Sequence, residues 1–239
     1  MGMPVAVDLP GGTEGALEKV FAYFTEVDER FSTYKPASEI AKINRGEIKI
    51  EDASKEMQEI FALAERTQRE TNGYFSITKP DGGIDPSGIV KGWAIRNAAL
   101  LAEGLGYCNY FIDVAGDIQS KGVDEAAAPW SIGIRNPFNR DEIVKVVYPK
   151  GNGVATSGTY IRGQHIYNPH EPAQTLDDVV SLTVVGPDVY EADRFATAAF
   201  AMGREGINFI ERLPGFEGYS IDSKGIATET SGFEALTAI

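Results

Sequence analysis

Tyr190–Gly203 reads YEADRFATAAFAMG. Asp193 and Thr197 are four residues apart, so on a helix they stack on one face. A carboxylate and a hydroxyl stacked in this way offer two hard oxygens to one Mg²⁺. Phe195, Ala196, Ala198, Ala199, Phe200 and Met202 are small or apolar, which predicts a largely buried helix. A buried Asp needs a partner, because desolvating a lone carboxylate is expensive. A plainer reading makes Asp193 an N-terminal cap and Thr197 a satisfied core hydroxyl. The stretch alone leaves both readings open.

The chain has 239 residues, 43% hydrophobic and 24% charged. That composition fits a soluble globular protein with a sizeable core. No run approaches the roughly 20 apolar residues that cross a bilayer, so no membrane insertion is expected. The N-terminus lacks the basic and apolar regions of a secretory signal. Cys108 is the sole cysteine, which excludes an intrachain disulfide. These features point to the cytoplasm. The net charge of −13 makes nucleic acid a poor partner. It also means that any phosphate ligand must be met by local positive potential, from a cation, a lysine or backbone N–H groups.

In chain order, residues 3–9 read as a strand and Glu14–Phe31 as an amphipathic helix. In FSTYKPASEIAKIN (Phe31–Asn44), Pro36 separates a loop from a short helix with Ser38 as N-cap, followed by Glu39 and Ile40. Tyr34, just before it, can stack on a flat ring or pack on a surface turn. Residues 53–71 form a further helix, and Tyr74–Thr78 reads as a short strand. In IDPSGIVKGWAIR (Ile84–Arg96), Lys91-Gly92 is expected to open a helix running to about Glu103. A lysine there is disfavoured by the helix dipole. It must face solvent or an anion such as a ligand phosphate, Asp113 or Asp117.

Tyr110–Gly122 predicts strand, tight turn, strand, with Ala115-Gly116-Asp117 allowing close backbone approach. No GxGxxG or GxxxxGK[ST] occurs. Trp130–Arg135 and Glu142–Tyr148 read as strands. In GVATSGTYIRGQHIYNP (Gly153–Pro169), Ser157-Gly158 begins a polar turn. His165 lies on a predicted short strand, where it can donate to a phosphoryl oxygen, act as acid or base, or be structural. No zinc pattern is present. Val179–Val185 is a buried strand. A helix over Arg204–Arg212 and strands over Gly218–Thr228 complete the chain. Helices and strands alternate irregularly with several hairpin signals, which favours an α+β fold over a doubly wound sheet.

Taken together, these stretches resemble the ApbE family, the FAD:protein FMN transferases. FSTYKPASEIAKIN is similar to its S-x-Y-x-x-x-S-E-l-x-x-l-N element, and IDPSGIVKGWA to its D-l-g-x-i-a-K-G block. MGMPVAV, FIDVAGDI, WSIGIRNP, ATSGTY, HIYNP and EADRFATAAFAMG extend the likeness over nearly the whole chain in the family's order. The resemblance implies one domain over residues 1–239, with mixed and antiparallel sheets packed with helices and a nucleotide site between two halves. It implies Mg²⁺-dependent transfer of FMN from FAD to a Thr or Ser hydroxyl of an acceptor flavoprotein, with release of AMP. Hydrolysis of FAD to FMN and AMP, or FAD binding without catalysis, are the alternatives.

By position, the resemblance implies Asp193, Thr197 and the Gly88 carbonyl as Mg²⁺ ligands. Tyr34 would contact the flavin, with Ser38, Glu39 and Ile40 nearby. Lys91, Ala115, Gly116, Asp117, Ile134, Ser157 and Gly158 would line the rest of the site, with His165 and Lys91 at the reacting phosphates. The chain departs from the family pattern at Ala115, where Gly is usual, and at Asn168, where Asp is usual. It also lacks the lipoprotein leader of many members, which reads as a cytoplasmic form.

Overall fold

The computed structural model describes residues 2–139, 141–158, 166–173 and 175–238. The chain runs β1 (Val5–Asp8), α1 (Glu14–Phe31), α2 (Glu39–Asn44), α3 (Lys55–Glu70), α4 (Ser87–Gly104), β2 (Tyr110–Val114), β3 (Asp117–Lys121), β4 (Ile132–Arg135) and β5 (Ile143–Val147). It continues through β6 (Gly153–Gly158), β7 (Val179–Gly186), α5 (Val189–Ala201), α6 (Gly206–Glu211), β8 (Glu217–Asp222) and β9 (Ala227–Glu229). The α+β expectation holds: helices pack on antiparallel sheets. One sheet has seven strands in the order β1-β2-β3-β6-β7-β8-β9, and β4 pairs with β5 in a separate ribbon.

Alternation along the strands separates the two faces of the large sheet. Ala155, Leu182 and Val184 point to one face and pack beneath α5 against Phe195 and Phe200. Their neighbours Val154 and Val185 point to the other face and meet Ile132, Ile134 and Val147 of the ribbon. A third cluster joins α1, α3 and α4 to β2 through Val20, Phe24, Met57, Ile60, Ile95 and Ile112. Burying each such aliphatic side chain contributes about 1.5–3 kcal/mol.

The decisive stretch is helix α5. Its cap is Asp188, whose carboxylate accepts the Glu191 N–H at 2.9 Å. Asp193 is therefore not the cap. Met202 ends the helix and Gly203 follows at φ +60°, the left-handed conformation that stops a helix cheaply. The Arg194 guanidinium lies 3.9 Å from the Phe195 ring centroid and pairs with Glu191 and, at 2.5 Å, with Glu70, which fastens α5 to α3.

Three expectations need correction. Helix α4 begins at Ser87, not at Lys91, because the Asp85 carboxylate accepts the Ser87 N–H at 3.0 Å and starts the helix a turn earlier. Tyr74–Thr78 is not a strand. Pro80 supplies no N–H, Gly82 at φ +84° turns the chain back, and only an isolated Thr78–Ile84 bridge forms. The helix expected over Arg204–Arg212 divides into a single 3₁₀ turn, Gly203–Glu205, and α6.

Candidate active site

Helices α4 and α5 cross in close contact, and Gly92 is the reason they can. A Cβ at Gly92 would stand 2.8 Å from the Val189 carbonyl oxygen and 2.8 Å from the Asp193 Cβ. With only hydrogen there, the Gly92 N–H donates to Asp193 Oδ2 at 2.8 Å. The ordinary helical acceptor for that N–H is the Gly88 carbonyl, so Asp193 competes with Gly88 for one donor. Gly88 itself faces Thr197: a Cβ on Gly88 would lie 3.9 Å from Thr197 Oγ1. Asp193, Thr197 and Gly88 thus converge on one cleft wall.

Lys91 completes the wall. Its ammonium is 2.5 Å from Asp117 Oδ2 and 3.9 Å from Asp193 Oδ1. Asp117 is only 1% exposed, and its Oδ1 accepts the Thr156 N–H at 3.1 Å. Asp117, rather than Asp113, is therefore the carboxylate partner of Lys91. Burial pushes the Asp193 carboxyl up to about 8, and the Asp117 charge adds to that, while Lys91 and the Gly92 N–H oppose it. The cleft is also lined by Tyr74–Ile77, Lys79, Pro80, Ala115, Thr156–Gly158 and Ile166–Tyr167.

The donor set suits a hard cation. No group of three His, Cys, Asp or Glu side chains converges among the described residues. What the cleft does bring together is the Asp193 carboxyl and the Thr197 hydroxyl, with Gly88 beside them, oxygen chemistry that Mg²⁺ accepts while keeping several waters.

The ApbE family model matches residues 1–81 and 78–220, well over half of the chain. The chain belongs to the ApbE family. The FAD:protein FMN transferase of Escherichia coli strain K12 is 29% identical over 166 residues, which is 66% of this chain and 47% of that protein. The chain spans about half the length of the curated relatives it matches. Its fold is that of the flavin transferase ApbE from Vibrio cholerae, with TM-score 0.85 and 22% identity over 99% of this chain and 96% of that one. The ApbE protein of Thermotoga maritima gives TM-score 0.85 at 20% identity over 100% and 97% of the two chains.

Of the residues that the ApbE resemblance singles out, the cleft gathers Gly88, Lys91, Ala115, Ser157, Gly158, Asp193 and Thr197, with Asp117 behind Lys91. Gly116 stands beside them in the 115–116 turn, donating its N–H to Asp113 at 2.7 Å. Others lie elsewhere. Ile134 is buried in the ribbon core. Ser38 is 1% exposed, caps α2 at the Ala41 N–H and donates to the Ser32 carbonyl. Glu39 accepts both the N–H and the hydroxyl of Ser54, each at 2.6 Å, and so anchors the start of α3. Ile40 is fully buried.

Tyr34 is 90% exposed. It follows Thr33, which lines a groove that shares Lys79 and Asp85 with the cleft. The ApbE-like element around Ser38 is held by hydrogen bonds of its own to Ser32, Ala41 and Ser54. The Asn44 amide makes two 2.8 Å bonds to the backbone of Ile84, which sets the approach to α4. His165 lies outside the described residues.

Tyr74, Lys79, Asp85, Thr156 and Tyr167 also belong to the cleft and were missed in the sequence. Asp85, Thr156 and Tyr167 sit in quoted motifs, but no spacing there marks them as cleft residues. The others come from a loop whose path depends on long-range bonds such as Tyr167 Oη–H to the Thr78 carbonyl at 2.6 Å. Asn168, at a family Asp position, accepts the His170 N–H at 3.0 Å, and His170 packs edge-on against Tyr74 with ring centroids 4.6 Å apart.

Ala115 explains the usual glycine of the family. It holds φ +54° in the turn between β2 and β3, a conformation that costs an L-residue about 1–2 kcal/mol. Ala115→Gly removes that strain but loosens the unfolded chain, so the expected net gain is about 0.5–1 kcal/mol. Thermal denaturation checks it: Tm should rise by about 2 °C.

Proposed function

We propose that this chain transfers FMN from FAD to a Thr or Ser hydroxyl of an acceptor protein, with Mg²⁺. The observation that carries the reading is the Asp193–Lys91–Asp117 cluster, opening beside Thr197 and Gly88 on the cleft of an ApbE family member. Relatives named as FAD:protein FMN transferases support the same activity.

In this reaction the acceptor hydroxyl oxygen forms a bond to the FMN-side phosphorus. The bond from that phosphorus to the bridging oxygen breaks, and AMP leaves with that oxygen. The hydroxyl proton is released, and His165 is the residue we assign to receive it. Asp193, Thr197 and the Gly88 carbonyl would hold Mg²⁺, which supplies charge neutralisation on the phosphates. Lys91, held in place by two carboxylates, keeps a fixed ammonium at the cleft wall, and such preorganised charge is the main catalytic resource in phosphoryl transfer. Tyr74 and Tyr167 offer aromatic surface to a flat ring.

The test is mass spectrometry of an acceptor flavoprotein incubated with the chain, FAD and Mg²⁺. A covalent FMN increment on one Thr or Ser supports the reading. An unmodified acceptor, with FAD intact, contradicts it.

A further inference from the structure

The acidic chain must bring a diphosphate into a cleft lined by two carboxylates, Asp85 and Asp193. Two basic side chains line the same cleft among the described residues, Lys79 and Lys91. They are differently committed. Lys91 has a side chain only 14% exposed and lies between Asp117 and Asp193, so much of its charge is already answered. Lys79 is 45% exposed and pairs with Asp81, itself 68% exposed, at 3.1 Å. An exposed pair of this kind contributes about 0–1 kcal/mol and is readily given up.

Asp81 does not depend on the lysine, since its other oxygen accepts the Gly83 N–H at 2.9 Å and keeps the turn closed. The Lys79 backbone is fixed independently as well, with its N–H on the Gly83 carbonyl at 2.7 Å. The side chain can therefore swing while the loop stays. Lys79 also stands where the cleft meets the groove lined by Thr33, Asn44 and Ile84. A dinucleotide, two aromatic units joined by a diphosphate, is the kind of substrate that extends from one hollow into the next.

We propose that Lys79 leaves Asp81 and binds a phosphoryl oxygen of the dinucleotide diphosphate, supplying the substrate-recognition charge that Lys91 does not. This rests on the proposed use of FAD. Binding alone tests it, by flavin fluorescence titration of the whole chain with FAD and Mg²⁺ at low and high KCl. Lys79→Met should raise Kd about tenfold at low salt, and Lys79→Arg should stay within about twofold of the wild type, as expected for one charge-assisted hydrogen bond. High KCl should narrow the gap between Lys79→Met and wild type, because the contact is exposed and screened. Unchanged affinity in Lys79→Met overturns the proposal, and so does equal weakening in Lys79→Arg, which would report loop shape rather than charge. Wild-type protein that does not bind FAD at all would instead overturn the functional reading on which this one rests.

Discussion

Asp193→Asn should lower FMN transfer by at least about 100-fold, the usual scale for removing one preorganised electrostatic group from an active site. The side chains are isosteric. The Asn oxygen can still accept the Gly92 N–H that Asp193 accepts at 2.8 Å, so the crossing of α4 and α5 is kept. Asn cannot ionise, so it cannot supply the negative charge that a bound cation would draw from the Asp193 carboxyl. It also has no charge to desolvate at a position only 3% exposed, so Tm should not fall. Steady-state transfer measured beside a thermal melt separates the two effects. A variant that keeps near-wild-type transfer would remove Asp193 from the site.

Gly92→Ala should destabilise the protein strongly. The added Cβ would meet the Val189 carbonyl oxygen at 2.8 Å and the Tyr190 Cα at 2.9 Å, so the obstruction includes backbone that cannot rotate away. Overpacking of this kind costs about 2–3 kcal/mol, which for a chain of this size lowers Tm by about 5–10 °C. Relief requires α5 to move, and Asp193 and Thr197 move with it, so activity should fall as well. Gly88→Ala is the control for stability. Its Cβ would meet Phe75 and Thr197 at 3.5 Å, ordinary contact distances, and Tm should hold. Equal melting of Gly92→Ala and wild type would show that the α4–α5 contact is looser than described.

Much of this site was legible because it is local. The Asp193–Thr197 spacing carries its geometry wherever the helix lies, and the small residues around it announce burial. That Lys91 faces either solvent or an anion was legible, though its helix starts a turn earlier than expected. The partner of Lys91 was not, because choosing Asp117 over Asp113 depends on which way each points across the β2–β3 turn. The capping chemistry of Ser38 was readable from its position before Glu39. The reach of Glu39 to Ser54 was not, since it spans two helices. Tyr74 and Lys79 could not be found from pattern, and nothing in HIYNP singles out Tyr167. They belong to segments with little regular secondary structure, brought together by the Asn44–Ile84 and Tyr167–Thr78 bonds. Sequence periodicity is silent about such contacts.

AMP release tests most directly the proposed activation of a dinucleotide diphosphate at the Asp193 wall for attack by a protein hydroxyl. Wild-type chain and Asp193→Asn would each be incubated with FAD and Mg²⁺, with and without an acceptor flavoprotein. The expected result is AMP from wild type only when acceptor is present, in step with covalent FMN on the acceptor, and almost none from Asp193→Asn. AMP formed at the same rate without acceptor, or equally by both proteins, would contradict it.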